Sequence, residues 1–359
     1  MSDTKRATSG QAAAIVTADA LKRFATEIFA RAGMSDSHAG IVADVLVWAN
    51  LRGVDTHGAM RIPRYVELIE SGDMNARPAI TVRTETSAAV LIEADRAPGP
   101  IAMTTAMTAA VRKAKDAGIG LALARATTHT AALGYYTQAA ANEGVAAIAL
   151  SASWPNMAYH GARAAGVSTS PISIAVPGGK RGPLLLDMST GVVSMGKLTQ
   201  AKKAGQAIPA GWALDRNGNP TTDSRAAHFP LPMAGPKGSG LSLMIECLAS
   251  LVVSNPLLAE TLENTGEGHR HRQNGFAIAI DVARFGDPEK FRREVDRIVK
   301  AIKALPADPD AGEILVPGER GNRTSEKRRR EGIPIPRVIF DELQTLANRL
   351  GVKMFSSPS

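Results

Sequence analysis

From about Ala88 onward the chain alternates short β-type runs with stretches of helical periodicity. The runs are AAVLIEA, GLALARA, VAAIALS, SPISIAV, PLLLDM and FAIAID. Helical patterns lie between several of them, over residues 101–117 and 136–142. Alternation of this kind predicts a mixed α/β fold, because sheet faces must be covered by something apolar. A longer helix is expected over residues 241–253, after KGSG. Another is expected over 291–305, with Phe291, Val295, Ile298, Val299 and Ile302 on one face, and a last one over 340–350. Residues 306–332 are rich in Pro, Gly and charge and read as a connection. DRNGNPTTDS, residues 215–224, reads as a turn-rich loop, and no internal repeat is present.

The first third is helical instead. Thr17 and Ser35 stand where N-caps belong. Ile41, Val42, Val45, Leu46 and Ala49 then fall on one helix face. Ile62, Tyr65, Val66 and Ile69 mark a further helix, with Pro63 in its first turn and Gly72 closing it. RGVDTHG, residues 52–58, interrupts the pattern between them.

With 359 residues the chain can hold two or three cores. Its apolar content, 44%, excludes a mainly disordered protein. No apolar run reaches the roughly 18 residues that a membrane span needs. The first residues, up to Gln11, lack the apolar centre of a signal peptide and read as a frayed tail. Cys247 is the single cysteine and sits in an apolar helical pattern, which suits a core thiol in a reducing, cytoplasmic compartment. The formal charge of +8 raises nucleic acid as a partner. The basic run in GNRTSEKRRR is short, aromatics are 4%, and no zinc-finger or helix-turn-helix spacing occurs, so a solvated helix face is the simpler reading. A basic surface also attracts anionic substrates and cofactors.

Several familiar sites are missing. No G-x-G-x-x-G joins a strand to a helix; Gly118-Ile119-Gly120 precedes its strand. No G-x-S-x-G occurs. GVVSMGK, residues 191–197, approaches a P-loop, but Leu198 supplies no hydroxyl for Mg²⁺. His269 and His271 form an H-x-H pair with only Glu267 nearby, so a surface loop is preferred and no metal site is expected.

The segment with the most chemistry is Asp55-Thr56-His57-Gly58, followed by Arg61 and Tyr65. On a continuous helix His57, Arg61 and Tyr65 would share one face, although Pro63 argues that the helix starts later. An Arg can grip a carboxylate through two parallel hydrogen bonds, and a His can exchange a proton near neutrality. A capped surface turn with incidental polar residues would show the same pattern, and spacing does not separate the two. His129 in ATTHTAALGYY follows a strand, where loops face ligand crevices, and is equally an ordinary turn residue.

LRGVDTHGAMRIPRYVELIESG, GIGLALARATTHTAALGYY, STSPISIAVP, LLLDMSTGVVSMGK, IPAGWALDRNGNPTTD, PMAGPKGSGLSLMIECLASLV and ILVPGER, taken in order, resemble the type-2 malate/L-lactate dehydrogenase family. The resemblance runs from about Val16 to Gly351. That family includes ureidoglycolate, sulfolactate and 2,3-diketogulonate oxidoreductases and reductases of cyclic imino acids. It implies a non-Rossmann α/β nicotinamide-binding fold, in agreement with the missing glycine fingerprint. It also implies a flexible tail over 1–15, a helical domain of 16–80 plus 316–359, and a mixed α/β region over 81–315.

By resemblance, the activity is an NAD- or NADP-dependent interconversion of a small 2-oxo and 2-hydroxy acid. Reduction of cyclic or N-alkyl 2-imino acids is the alternative. His57 and His129 resemble the catalytic residues, with one or the other as proton carrier. Asp187 resembles either a helper that orients the catalytic His or part of the cofactor site. Thr56, Arg61 and Tyr65 resemble substrate contacts. Ser153, Val167, Ser168, Thr169, Ser170, Pro171, Ile172, Ser173, Asp187, Met188, Ser189, Lys237, Gly318, Glu319 and Arg320 resemble cofactor contacts. A homodimer with the active site near its interface is implied, with a small carboxylate as ligand and neither nucleic acid nor membrane as partner. Three departures stand out: Thr56 for the usual Ser, Ser168-Thr169-Ser170-Pro171 for G-T-N-P, and THTA at 128–131 for N-H-x-G. They point to an atypical substrate.

Overall fold

The computed structural model describes residues 12–263, 271–310 and 312–355. Strand β1 (Ala12–Val16) leads into α1 (Ala18–Arg31) and α2 (Asp36–Leu51), capped as expected by the hydroxyls of Thr17 and Ser35. Two 3₁₀ turns follow, Asp55–His57 and Ala59–Arg61, before α3 (Ile62–Glu70), with Pro63 in its first turn. Then come β2 (Thr81–Glu85), β3 (Ala89–Glu93), α4 (Gly99–Ala117), β4 (Ile119–Thr127), α5 (Gly134–Asn142) and β5 (Val145–Ser153). The chain continues through β6 (Ile172–Val176), β7 (Leu184–Met188), α6 (Met195–Lys203), α7 (Pro236–Glu246), α8 (Leu258–Leu262), β8 (Gln273–Asp281) and α9 (Pro288–Lys303). It ends with α10 (Glu319–Glu331), β9 (Ile333–Pro336) and α11 (Arg337–Leu350). Among the described residues no helix is long and apolar enough to cross a membrane.

Seven strands form the main sheet, in the order β2-β3-β4-β8-β5-β6-β7. Only β3 and β4 run parallel, joined by the α4 crossover. Strand β8 is inserted between β4 and β5, antiparallel to both. The sequence explains how the two faces are covered. In β4, β5 and β8, alanines alternate with large apolar residues, so period-two geometry puts them on opposite faces. Ala122, Ala124, Ala147, Ala149, Ala277 and Ala279 share a core with α4, where small side chains let a helix approach closely. Leu123, Leu150 and Phe276 face the other way, onto Ile245, Ala249 and Val253 of α7 and its continuation. The alanine-side core runs on without a break into α1, α2, α3 and α11.

Four expectations need correction. Residues 12–15, assigned to the flexible tail, belong to β1, which pairs antiparallel with β9. Ala14 and Val16 are buried while Ile15 points out, so this strand earns its place by alternation too short to register in the sequence. Residues 1–11 lie outside the described part. The 306–332 connection contains a full helix, α10. It buries no residue and is held by ion pairs, such as Arg323 to Glu313 and Glu319, so no apolar stripe announces it. Helix α7 starts at Pro236, with KGSG inside it, because Gly238 lies against the Thr190 and Met233 backbone, and it passes into a π turn at Cys247–Leu251. Cys247 is half-buried rather than a core thiol.

Helix α4 lies directly on the sheet at Gly120. A Cβ there would lie 2.0 Å from the Ala110 carbonyl oxygen of α4. We expect Gly120→Ala to lower the urea midpoint, by about 1–3 kcal/mol of stability, since backbone must move. An unchanged midpoint would mean that α4 is not seated on β4 as described.

Candidate active site

The register of the sheet builds the site. Gln273 at the start of β8 pairs with Thr127 at the end of β4 and with Ser153 at the end of β5. Three strand ends therefore meet at one edge, and the loop carrying His129 leaves from there. Gln273 Oε1 collects that edge, accepting from Thr130 N–H (3.2 Å), the Thr130 hydroxyl (3.3 Å) and the Ser151 hydroxyl (3.1 Å). Facing it, the two 3₁₀ turns present Thr56, His57 and Arg61. These residues do not share a continuous helix. Gly58 breaks the turns apart, and its missing side chain is required because a Cβ would meet Asn50 Oδ1 at 2.2 Å.

Thr56, His57, Arg61, Tyr65 and His129 converge all the same. The rings of His57 and His129 stack, with centroids 5.5 Å apart at 20°. The Tyr65 hydroxyl lies 2.7 Å from His129 Nδ1 and donates to the His129 carbonyl at 3.0 Å. Ala131 N–H donates to the same Nδ1 at 3.3 Å. A backbone amide can only donate, so Nδ1 of the neutral ring accepts and its proton sits on Nε2. The Thr56 hydroxyl lies 3.1 Å from His57 Nδ1, and Arg61 Nε donates to the Thr56 carbonyl at 2.7 Å. Ala131 holds a left-handed backbone, φ 54°, at the position where the resemblance leads one to expect glycine. Such a conformation costs a non-glycine residue about 1–2 kcal/mol, and strain of this kind collects at functional loops.

The electrostatics are those of a cation without a counter-charge. Among the described residues no carboxylate pairs with Arg61, and burial lowers its pKa. Burial, then the Arg61 charge, holds His57 down to about 3. Burial, Arg61 and His57 together hold His129 well below the usual histidine range. Burial pushes Tyr65 up, against the Arg61 charge. Both histidines and Arg61 are enclosed by protein but keep an edge open to a cleft of about 1440 Å³.

This cleft exceeds the roughly 300–1,000 Å³ of an ordinary ligand pocket, so it can hold a dinucleotide together with a small acid. Of the residues that resemble cofactor contacts, Ser153, Thr169, Pro171, Asp187, Met188, Ser189, Gly318 and Arg320 line it. The other cofactor candidates are not on its wall. Val167 is core, and Ile172 packs beside the α7 cluster. Ser168 and Ser170 bond each other, and Ser242 donates to the Ser168 carbonyl. Ser173 donates to Leu186, Lys237 is exposed on the first turn of α7, and Glu319 is tied up by Lys303 and Arg323. Asp187 bonds neither histidine. It accepts from Gly134 N–H at 2.9 Å, and burial pushes it up to about 6 against that bond and the Arg52 charge. Among the described residues no cluster of three His, Cys, Asp or Glu side chains could hold a metal. His271 lines the cleft, near Arg64, whereas His269 lies outside the described part.

Sequence reasoning missed Arg52, Gln273 and Arg328. Arg52 sits over Trp48, 5.1 Å from the ring, and donates to Asn322 and the Gly318 carbonyl. Nothing in the spacing marks Gln273, whose partners are more than a hundred positions away. GVVSMGK is no P-loop. Ser194 caps α6, and Gly196 is small because a Cβ would meet Thr56 Cβ at 2.6 Å.

The neutral histidines make stability depend on pH. Once unfolded they titrate near 6.5. Below that pH the unfolded chain takes up protons that the folded site refuses, so stability is complete above 6.5 and falls toward pH 3. The bound is about 1.4 kcal/mol per pH unit for each ring, reduced by water in the cleft. Asp187 opposes this between about 6 and 3.8, where the folded carboxyl binds its proton first. We expect His57→Gln to flatten the fall of the urea midpoint between pH 7 and 4.5. Identical slopes for the two proteins would contradict a neutral, enclosed His57.

Comparison with known proteins gives the family. The family described as malate/L-lactate dehydrogenase matches residues 16–344. A malate dehydrogenase of Pyrococcus horikoshii is 37% identical over 94% of this chain and 96% of its own length. The NAD(+) ureidoglycolate dehydrogenase of Escherichia coli is 32% identical, covering 87% of this chain and 90% of its own. A Δ1-pyrroline-2-carboxylate/Δ1-piperideine-2-carboxylate reductase of Pseudomonas putida is 31% identical over 90% and 93%. A solved malate dehydrogenase structure from P. horikoshii superimposes with a TM-score of 0.86 at 35% identity, over 95% of this chain and 96% of that one. In sequence and in fold, this chain belongs to the malate/L-lactate dehydrogenase family.

Proposed function

We propose that the chain is an NAD- or NADP-dependent oxidoreductase that interconverts a small 2-hydroxy acid and its 2-oxo acid, in the cytoplasm. The observation that carries this reading is Arg61, a charge with no carboxylate partner among the described residues, set beside two neutral histidines on the cleft wall. Its planar fork suits a carboxylate. The residues that would hold the cofactor are Ser153, Thr169, Pro171, Met188, Ser189, Gly318 and Arg320, and bound nicotinamide supplies or accepts the hydride at the acid's C2.

The roles of the protein groups follow from their chemistry. Arg61 holds the carboxylate and so fixes C2 in the cleft. His129, with its proton on Nε2, donates a hydrogen bond to the C2 oxygen. His57 is the proton carrier, because the Thr56 hydroxyl at its Nδ1 can turn either as donor or as acceptor. The substrate's own charge adjusts that carrier. Burial is the larger cause of the low His57 value and persists, but a carboxylate on Arg61 offsets the smaller, coulombic part and so raises the ring toward taking the proton released on oxidation or giving one on reduction. Asp187 anchors the start of α5 at the cleft.

The Pseudomonas relative's name favours a second reading, reduction of a cyclic or N-alkyl 2-imino acid, which the same groups serve with nitrogen in place of oxygen. Oxidation of NADH and NADPH should therefore be followed with 2-oxo acids, with and without methylamine, and with cyclic imino acids. Activity only with methylamine present or with cyclic imino acids would overturn the hydroxy-acid reading. With the best substrate, Arg61→Lys should lower kcat/KM about 10- to 150-fold, the loss of one charge-assisted bond of roughly 1.5–3 kcal/mol, and leave cofactor affinity unchanged. An unaltered kcat/KM would place the carboxylate elsewhere.

A homodimer is part of this proposal. Leu243, Met244, Leu248, Leu251 and Val252 lie 40–61% exposed on α7 and its π turn, an apolar face suited to a second copy. Sedimentation should show Met244→Glu/Val252→Glu as a monomer where the parent is a dimer. A monomeric parent at micromolar concentration would refute the dimer.

A further inference from the structure

Apart from Arg320 in its first turn, the basic helix α10 has no role in the reading above, yet its last turn reaches the turn that carries His57. Arg328 donates from Nη1 to Asp55 Oδ1 at 2.6 Å and from Nη2 to Asp55 Oδ2 at 3.0 Å. Nη1 also donates to the Asn50 carbonyl. Asn50, buried at the end of α2, completes the bracket: its Nδ2 donates to Asp55 Oδ1 at 2.6 Å and its Oδ1 accepts from Ala59 N–H at 2.7 Å. The 55–59 turn is thus held at both ends by Asn50, and its first residue is gripped from outside by a two-pronged guanidinium. Two residues on from Asp55 is His57.

We infer that Arg328 is a positioning residue: through Asp55 it sets the turn that aims His57 at the substrate. The geometry distinguishes this from a surface ion pair. The Arg328 side chain is only 16% exposed and it lines the cleft. Parallel bonds from a planar fork fix the orientation of a carboxylate as well as its position. The other end of α10 is fastened independently, by Arg52 to Asn322 and the Gly318 carbonyl. Helix α10 therefore works as a brace between α2 and the His57 turn, held by polar and charged contacts rather than by buried side chains of its own.

The inference rests on His57 as proton carrier, and the test separates the two. Arg328→Gln should lower kcat roughly 10- to 100-fold, the scale of a sub-ångström to ångström misplacement, with little change in KM for the acid. The primary isotope effect with 4-deuterated NAD(P)H should rise, because the misaligned step becomes rate-limiting. Asp55→Asn should act alike, and the double variant should be no slower than the slower single one. Arg328→Lys should recover part of the loss, whereas Arg329→Gln, one residue on, should match the parent. Amide exchange over residues 55–59 should quicken in Arg328→Gln and stay unchanged in β4 and β5. That exchange readout decides the matter even if the parent shows no hydride transfer with any acid tried. Parental kcat and isotope effect in Arg328→Gln, additive losses that track thermal stability, or unchanged exchange at 55–59 would each overturn the inference.

Discussion

The insertion of β8 between β4 and β5 is the constraint on which the structure depends. A strand paired antiparallel on both sides brings its own beginning against the ends of both neighbours. Gln273 then sits where the His129 loop departs, and one side-chain oxygen ties that loop to β5. Remove the insertion and the two parts of the cleft wall lose their common edge. The alanine alternation in the three strands serves the same end, since it lets α4 lie close enough for Gly99 to touch the His129–Thr130 backbone.

On this frame the protein keeps an unfavourable local arrangement. Arg61 is desolvated with no acid beside it among the described residues, two imidazoles are held neutral, and Ala131 occupies a left-handed conformation. The desolvated Arg61 charge and the left-handed Ala131 backbone cost folding free energy, and the neutral histidines do so only below about pH 6.5. A buried charge missing its partner is destabilising in a structural role. In a binding site it is a preformed half of an ion pair, with the desolvation already paid for by the surrounding core.

Much of this was legible in the sequence. Short alternating runs revealed the strands of the main sheet, apart from Thr81–Glu85, which is exposed along its whole length and has no buried face to betray it. Arg61 and Tyr65 were legible as four-residue steps after His57, although the reason they converge is a pair of 3₁₀ turns around Gly58 rather than one helix. His129 was visible as a loop after a strand. What stayed hidden depends on distant pairing. Gln273 and Arg328 act on partners far away in sequence, and α10 is held by charges, which leave no apolar period. The serines of 168–173 misled for the converse reason: a motif match does not tell whether a hydroxyl faces a ligand or is already bonded within the core.

The central strand also governs the order in which the chain can acquire structure. Ser151 and Gln273 are 122 positions apart. During synthesis β4 and β5 emerge long before the strand that belongs between them, each with an unsatisfied edge. They cannot pair with one another without excluding β8, so the nascent sheet must wait in two pieces, β2-β3-β4 and β5-β6-β7. Contacts this distant are slow to form and leave sticky edges exposed meanwhile. The same insertion that assembles the cleft therefore postpones its completion until β8 has joined the two pieces of the sheet.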